Sequence, residues 1–560
     1  MSARERRNNF LMQGSILAAT SLIVRIIGLV YRVPMNRIIG DDGVGIYGNT
    51  FEIYNFALIL SSYSIPIAVA RLVTIRRVNK EYKNSYRIFI CALGLASAVG
   101  FAAMLIIFFC APTLSQLVGK SDDATLPLRI LSPTIFIFAI MGVLRGFFQG
   151  KNTMIPTAMS QLIEQVVNAI ISIGASYIFV NMYHTSKDKS SYGAAGGTLG
   201  TFLGALMGLF FLVFVFMVYR PTLRKQMRRD KDEYRESYSG IFKLLLITVA
   251  PIILSQAVFQ ISGVLDVSIF NHIMAPKQVT VFDQEVLGKY VAGKLYISDY
   301  RNALLGIYSL KYRLLSNVPV AIATAISTAI ITTIAAAYSK GLKDVIHNKI
   351  HIAIKFNMIV AIPSAVGMGV LASPILKMIF SDDTKLAANL LTLGSIAIVF
   401  FALSTLSSAV LQGINRMRIP VINSAISLAI HVVFLILLLH FTPLSTYALV
   451  MGNVTFALVI CILNWLAIEK YLGYKQEILK TFIIPAVSAG FMGVATYFTY
   501  KGMMSLLDSN IVSVMVSIIV AIIVYFAFLI FLRGVDETEL LSVPKGATLV
   551  RVLKKLHLIR

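Results

Sequence analysis

The chain is a succession of long apolar runs separated by short polar breaks. Runs of about 20 or more apolar residues are long enough to cross a bilayer as helices. They fall near 12–33, 46–70, 88–112, 128–149, 154–180, 194–219, 242–270, 303–337, 352–376, 387–411, 419–440, 445–468, 481–501 and 510–532. The pattern predicts an all-α polytopic membrane protein with about 14 transmembrane helices. The breaks are of two kinds. Those after even-numbered spans are basic: Arg71, Arg76, Arg77, Lys80, Lys83 and Arg87 after the second, Lys151 after the fourth, Arg220, Arg224, Lys225, Arg228 and Arg229 after the sixth. Those after odd-numbered spans are nearly balanced, as in Lys120 with Asp122 and Asp123, or Lys377 and Lys385 with Asp382 and Asp383. Basic loops stay on the cytoplasmic side, so both termini are expected there. A miscounted span would invert every later loop, and none is inverted.

A second regularity is a duplication. One copy runs from Ala111-Pro112 through Ser121-Asp122-Asp123 to Gln149-Gly150-Lys151-Asn152 and Pro156. The other runs from Ser373-Pro374 through Ser381-Asp382-Asp383 to Gln412-Gly413-Ile414-Asn415 and Pro420. Matched landmarks lie 260 to 264 residues apart, a period too long for a solenoid. Each copy predicts a helix end, a short acidic loop, a returning apolar helix and a tight Gly-x-Asn turn. Pro then sits near the start of the next helix, where its missing N–H costs nothing. Six spans separate the copies, so the two six-helix lobes are parallel repeats about an axis along the membrane normal, with a cavity expected between them. The expected division is 1–240 for the first lobe, 241–470 for the second, 471–533 for two added spans and 534–560 for a cytoplasmic tail. In that tail Pro544 opens an amphipathic segment suited to lying on the leaflet. The outer loop near 271–301 is placed to cover the exit in part.

Composition agrees with this class. The 560 residues are 57% hydrophobic and 14% charged, with a mean hydropathy of +0.79, whereas soluble chains are about a quarter charged. The net charge of +24 would suggest nucleic acid, but its confinement to alternate loops excludes that partner. Cys91, Cys110 and Cys461 all lie in apolar runs, an odd number that argues for packing rather than a disulfide framework. The Ser-Asp-Asp pairs lack ligand spacing for a metal and are read as helix N-caps with acids favoured by the helix dipole. No Walker A, HExxH or G-x-S-x-G motif is present, so neither an enzyme nor a self-contained ATP-driven pump is expected.

Ionisable residues inside spans are costly unless they face a cavity or a partner. Arg25 and Arg32 lie seven apart on one face of the first span, with Gly28 between them, and two cations on one stripe suggest an anion site. Snorkelling to the interface is the alternative, above all for Arg32. In the eighth span, Lys311 and Arg313 precede Pro319, and Arg313 is favoured as the inward one; the alternative is that the segment lies near the outer surface and both are solvated. The acids Glu52, Glu164 and Asp266 have two readings. They pair structurally with in-membrane arginines, or they act in H+ or Na+ coupling or gating. Arg145 and Arg129 read as anchors near span ends. Asn55, Asn168, Gln256, Gln260 and Asn423 read as polar glue between helices.

These residues together resemble the MOP (multidrug/oligosaccharidyl-lipid/polysaccharide) exporter superfamily, in its branch of stage V sporulation protein B and the MurJ-type lipid II flippases. The resemblance is carried by Val24-Arg25-Ile26-Ile27-Gly28, Gly43-Val44-Gly45-Ile46-Tyr47, the Tyr308…Arg313…Pro319 stretch, Pro544-Lys545-Gly546 and the paired Gln-Gly-x-Asn…Pro turns. It implies a MATE/MurJ-like pair of lobes that alternate access and carry an undecaprenyl-pyrophosphate-linked sugar outward, with Arg25 and Arg313 holding the pyrophosphate, and the cationic stripe of the first span adds Arg32 to that set. The chain departs from the Gram-negative pattern at Ser61-Ser62-Tyr63-Ser64, where a basic pair would be expected. The implied protein is a monomer of the plasma membrane. It has a lipid-linked oligosaccharide as substrate, cell-wall synthesis proteins as possible partners, and no cofactor. A cation-coupled multidrug antiporter of the same fold would need an acidic, aromatic-lined cavity. A scaffold for cell-wall synthesis would leave the in-membrane arginines dispensable, and a membrane-embedded transferase would need an acid cluster for Mg²⁺ that the basic loops lack.

Overall fold

Each apolar run closes its own backbone hydrogen bonds, the only economical arrangement in lipid, so the expected spans appear as helices. The computed structural model describes residues 3–63, 65–230, 235–275, 297–338, 341–382 and 384–535. In the first half these are α1 (Ala3–Leu58), α2 (Ile65–Val78), α3 (Tyr82–Gly119), α4 (Thr125–Gly150), α5 (Ile155–Met182), α6 (Lys189–Arg228) and α7 (Tyr238–Met274). Then come α8 (Ile297–Gly306), a π-helical stretch over Ile307–Leu314, α9 (Leu315–Tyr338), α10 (Lys343–Val370), α11 (Ala372–Phe380), α12 (Lys385–Gly394) and α13 (Ala397–Gly413). The chain continues through α14 (Arg418–Phe441), α15 (Thr446–Leu472), α16 (Ile484–Leu507) and α17 (Asn510–Phe531). The amphipathic tail segment and most of the outer loop near 271–301 lie outside the described residues.

Twelve helical runs among the described residues are long and apolar enough to cross a membrane. The first covers two of the expected spans: it runs from Ala19 to Val78 but breaks at Gly40, whose φ of 75° and ψ of 173° no other residue type adopts easily. The expected eighth span is helical along its length but is not one of the twelve. The helices therefore establish a multi-span protein without fixing the number at fourteen.

The duplication reappears in backbone conformation. Lys120 and Ser381 end their helices in the left-handed region, with φ of 52° and 56°. Asn152 and Asn415 do so in the two Gly-x-Asn turns, with φ of 57° and 62°. The turns even share their hydrogen bonds. Asn152 N–H donates to Gln149 O at 2.8 Å and Asn415 N–H to Gln412 O at 3.0 Å. Asparagine is the non-glycine residue best suited to that position.

The described residues form two compact units, 3–275 with 297–306, and 307–535. The span near 242–270, expected to open the second lobe, falls in the first unit as α7, packed against α3 and α1. Within the first unit the tightest seam joins α5 to α6. Gly196, Gly200, Gly204 and Gly208 present a strip of bare backbone to Ser176, Ser172, Asn168 and Glu164. Ser172 Oγ donates to Gly197 O, and Ser176 Oγ to Gly193 O, each at 2.9 Å. Lipid offers no hydrophobic drive between helices, so such close approach and interhelical hydrogen bonds hold them. The second unit uses amides. Asn464 Nδ2 donates to Ser408 Oγ at 2.9 Å and its Oδ1 accepts from Asn423 Nδ2 at 2.9 Å, tying α13, α14 and α15 together.

A Cβ at Gly204 would stand 2.5 Å from Glu164 O, whereas Gly94 faces open space. Gly204→Leu should therefore cost at least about 3 kcal/mol, the upper range for overpacking, and lower the thermal midpoint in detergent. Gly94→Leu should leave the midpoint unchanged.

Candidate functional site

The first unit carries the cationic stripe. Arg25 is exposed on α1, while Arg32 is half-buried one heptad on. The Arg32 guanidinium lies between two tyrosines, its carbon 5.9 Å from the ring centroids of Tyr31 and of Tyr47. Their hydroxyls meet at 3.1 Å. Arg32 Nε is sealed from solvent with no hydrogen-bond partner among the described residues. Gly28 faces Gln165 of α5, whose side-chain nitrogen would stand 3.4 Å from a Cβ there. Aromatic faces attract a cation without neutralising it, so Arg32 keeps its charge available for an anion.

The acids do not share that freedom. Glu164 accepts from Arg145 Nη2 at 2.8 Å, and Arg145 Nε also donates to Ser160 at 2.9 Å. Arg145 thus anchors α4 to α5. Glu52 accepts from Gln260 Nε2 of α7 at 3.0 Å, with Gly263 leaving room for the carboxylate. Asp266 is buried in α7. Asn168 accepts from Thr201 of α6 at 3.4 Å and Asn423 donates to Asn464 of α15 at 2.9 Å, so both bridge helices as polar glue.

Arg313 lies in the second unit, half-buried in the π-helical stretch. Its neighbour Lys311 is the fully buried cation there, and its Nζ donates to Asp382 Oδ2 at 2.6 Å, both side chains 3% exposed. The N-cap reading of the Ser-Asp-Asp loops is corrected here. Neither Ala124 nor Thr384, the actual N-caps, receives a side-chain cap. Asp123 instead accepts from Asn302 Nδ2 at 3.0 Å, while Asp382 takes Lys311 and the Thr384 N–H. Each copy of the duplicated acidic loop therefore grips the stretch that leads into α9. The repeat of Asp after Ser was the available signal, and it pointed to a partner rather than to the helix end. No group of three or more metal-ligating side chains occurs among the described residues.

The second unit also holds an apolar slot of about 410 Å³. Pro319, Pro363, Gly367, Met492, Ile522 and Tyr525 line it, from α9, α10, α16 and α17. The two helices beyond the repeat thus supply one wall.

This architecture defines the class: an all-helical, multi-span membrane protein with the fold shared by MurJ and MATE transporters. Over 91% of this chain it matches a solved "Lipid II flippase MurJ, inward closed conformation" with a TM-score of 0.64 at 15% identity, covering 97% of that chain. It matches an inward-facing MATE multidrug transporter of the MOP superfamily with a TM-score of 0.60 at 16% identity, over 81% of this chain and 98% of the other. The family model for polysaccharide biosynthesis proteins matches residues 10–337 and that for the lipid II flippase MurJ matches 306–530. The chain belongs to the polysaccharide biosynthesis protein family. Among its relatives are the lipid II flippase MurJ of Bacillus subtilis, 24% identical over 88% of each chain. Stage V sporulation protein B of the same organism is 28% identical over 43% of this chain and 46% of its own.

Burial alone would raise the Asp382 carboxyl, but the Lys311 ammonium and the Thr384 N–H outweigh it and hold the group at about 2. An unfolded aspartate titrates near 4. The contribution of this pair is therefore present above about pH 4 and is lost as pH falls through about 2. Asp382→Asn should remove this ion pair from the buried Lys311 and cost about 3–5 kcal/mol, read as a lower unfolding midpoint at pH 7. The double change Lys311→Met with Asp382→Leu should recover most of that loss.

Proposed function

We propose that this protein is a flippase that moves a polyprenyl-pyrophosphate-linked saccharide of the lipid II class across the plasma membrane, with both termini cytoplasmic. The observation that carries the reading is Arg32, an in-membrane guanidinium with aromatic neighbours and no carboxylate partner among the described residues. A pyrophosphate is a compact polyanion, and a guanidinium fork binds its oxygens bidentately, better than an ammonium does. Arg25 and Arg313 complete the proposed anion set, and Glu52, Glu164 and Asp266 are the proposed gating or coupling groups, with H+ or Na+ as the ion. The apolar slot beside α16 and α17 has the chemistry of a polyprenyl chain, with walls almost wholly hydrocarbon. The names of the MurJ relatives support the same cargo. No catalytic step is proposed, and cell-wall synthesis proteins are the proposed partners.

The antiporter reading needs carboxylates free to take a cationic drug. Glu164 is already matched by Arg145, and Glu52 accepts from Gln260, which favours the anionic cargo.

The test is leaflet accessibility of the pyrophosphate-linked precursor in cells depleted of this protein and rescued with variants at matched expression. Arg32→Ala should leave the precursor inside, Arg32→Lys should restore part of its export, and Gly367→Phe, which fills the slot, should slow it. Full rescue by Arg32→Ala would sink the anion site, and drug sensitivity with normal precursor export would favour the antiporter.

A further inference from the structure

The tight turn between α4 and α5 holds a second cationic feature, at the basic end of the first unit and away from the stripe on α1. The Lys151 side chain folds back over aromatic rings, its Nζ 2.8 Å from the Tyr219 ring centroid, 5.2 Å from that of Phe148 and 5.7 Å from that of Phe147. Helix α2 ends beside this turn. Thr74 Oγ1 donates to Gly150 O at 3.1 Å, and Val73 packs on Gly150. Arg77, one turn further on, donates from Nη1 to Gln226 Oε1 at 3.3 Å, and Tyr219 donates to the same oxygen at 2.8 Å. Two cations from different helices are thereby fastened around one tyrosine–glutamine pair.

Among the described residues no carboxylate pairs with either of them, whereas the neighbouring Arg76 is matched by Glu81 at 3.5 Å and by Glu236 at 2.5 Å. Burial, with the Arg77 charge added to it, pulls the Lys151 ammonium down to about 7. The arrangement is thus electrostatically unfinished. The first turn of α5, four residues on, has no side-chain cap, and its N–H groups carry the positive end of a 28-residue helix.

Turn anchoring alone does not account for this. The second copy of the duplication also sets a cation from its turn over the tyrosine ending its last helix, Arg416 over Tyr471 at 4.6 Å. There the cation is exposed. The first copy half-buries its turn cation and brings up Arg77 from another helix, whereas the second cation at Tyr471 is the adjacent Lys470, 5.9 Å from the ring centroid.

We propose that Arg77 and Lys151 form a phosphate-binding site at the membrane surface, which takes the phosphate ester of an anionic lipid headgroup. A phosphate placed between them accepts hydrogen bonds from the guanidinium and the ammonium together and removes the repulsion between the two. Such a site is distinct from the proposed transport stripe and independent of the cargo. It would fix the basic end of α2, α4, α5 and α6 to the lipid surface.

The test is native mass spectrometry of the purified full-length protein titrated with phosphatidylglycerol, phosphatidylcholine or inorganic pyrophosphate. The tightest phosphatidylglycerol should bind the Arg77→Gln, Lys151→Gln protein roughly thirtyfold more weakly, since each basic residue near an anionic surface contributes about a factor of five. Lys151→Arg should keep that binding and serves as the folded control, with the unfolding midpoint of every variant measured in lipid-free detergent. Pyrophosphate binding that is lost in the double variant, without any phosphatidylglycerol effect, would keep the phosphate site and assign it to a soluble ligand. If the double variant retains its midpoint and binds all three probes as wild type does, the proposal is overturned. Equal loss of phosphatidylcholine and phosphatidylglycerol would overturn it as well, since the site would then not select for negative charge.

Discussion

Helices in a bilayer gain little by leaving lipid for one another, because a lipid tail is as apolar as a leucine. What holds this chain together is therefore backbone brought close to backbone, together with polar groups that have nowhere else to go. The α5–α6 seam shows both at once. Glycines every fourth residue let the helices approach until Ser172 and Ser176 reach carbonyls on the opposite helix. The same logic explains Asn464, which is wholly buried and joined to three side chains on two other helices. In water these contacts would be modest; in lipid they select one packing among many apolar alternatives.

That constraint also sorts the charges. Inside the membrane an acid or base must be matched or used. Arg145 and Glu164 are 19 residues apart across the tight turn, and they match each other. Lys311 and Asp382 match across 71 residues. Among the described residues Arg32 has no carboxylate partner and is held by rings instead. A membrane protein that keeps a cation on an aromatic seat bears the cost of burying it without the relief of a counter-ion.

The spans were legible because their signal is length of apolar run, a property that no tertiary contact overrides in lipid. The duplication was legible because Gly-x-Asn demands a left-handed residue, and both copies supply one at the same place. Less was legible where tertiary contact decides. Nothing in Ile307–Leu314 announces a π-helical stretch, and the choice of Lys311 over Arg313 as the buried cation depends on an aspartate 71 residues away. The placing of α7 likewise follows its packing on α3 and α1 rather than the repeat. Repeat symmetry and compactness answer different questions, one about ancestry and one about contact.

The acidic loops show how an inherited element changes its role. As sequence, Ser-Asp-Asp ahead of an apolar helix fits a cap, and a cap would serve each copy identically. The helices start without one, and the two loops use different aspartates, Asp123 toward Asn302 and Asp382 toward Lys311. The two partners lie within ten residues of each other on one stretch of chain, at the point where one compact unit gives way to the next. A mid-helix departure into π geometry often marks a functional site or a hinge, and here it begins one residue past that boundary. Asp123 holds Asn302 within the first unit and Asp382 holds Lys311 within the second, so each copy of the loop has taken a partner in its own unit in place of a helix end.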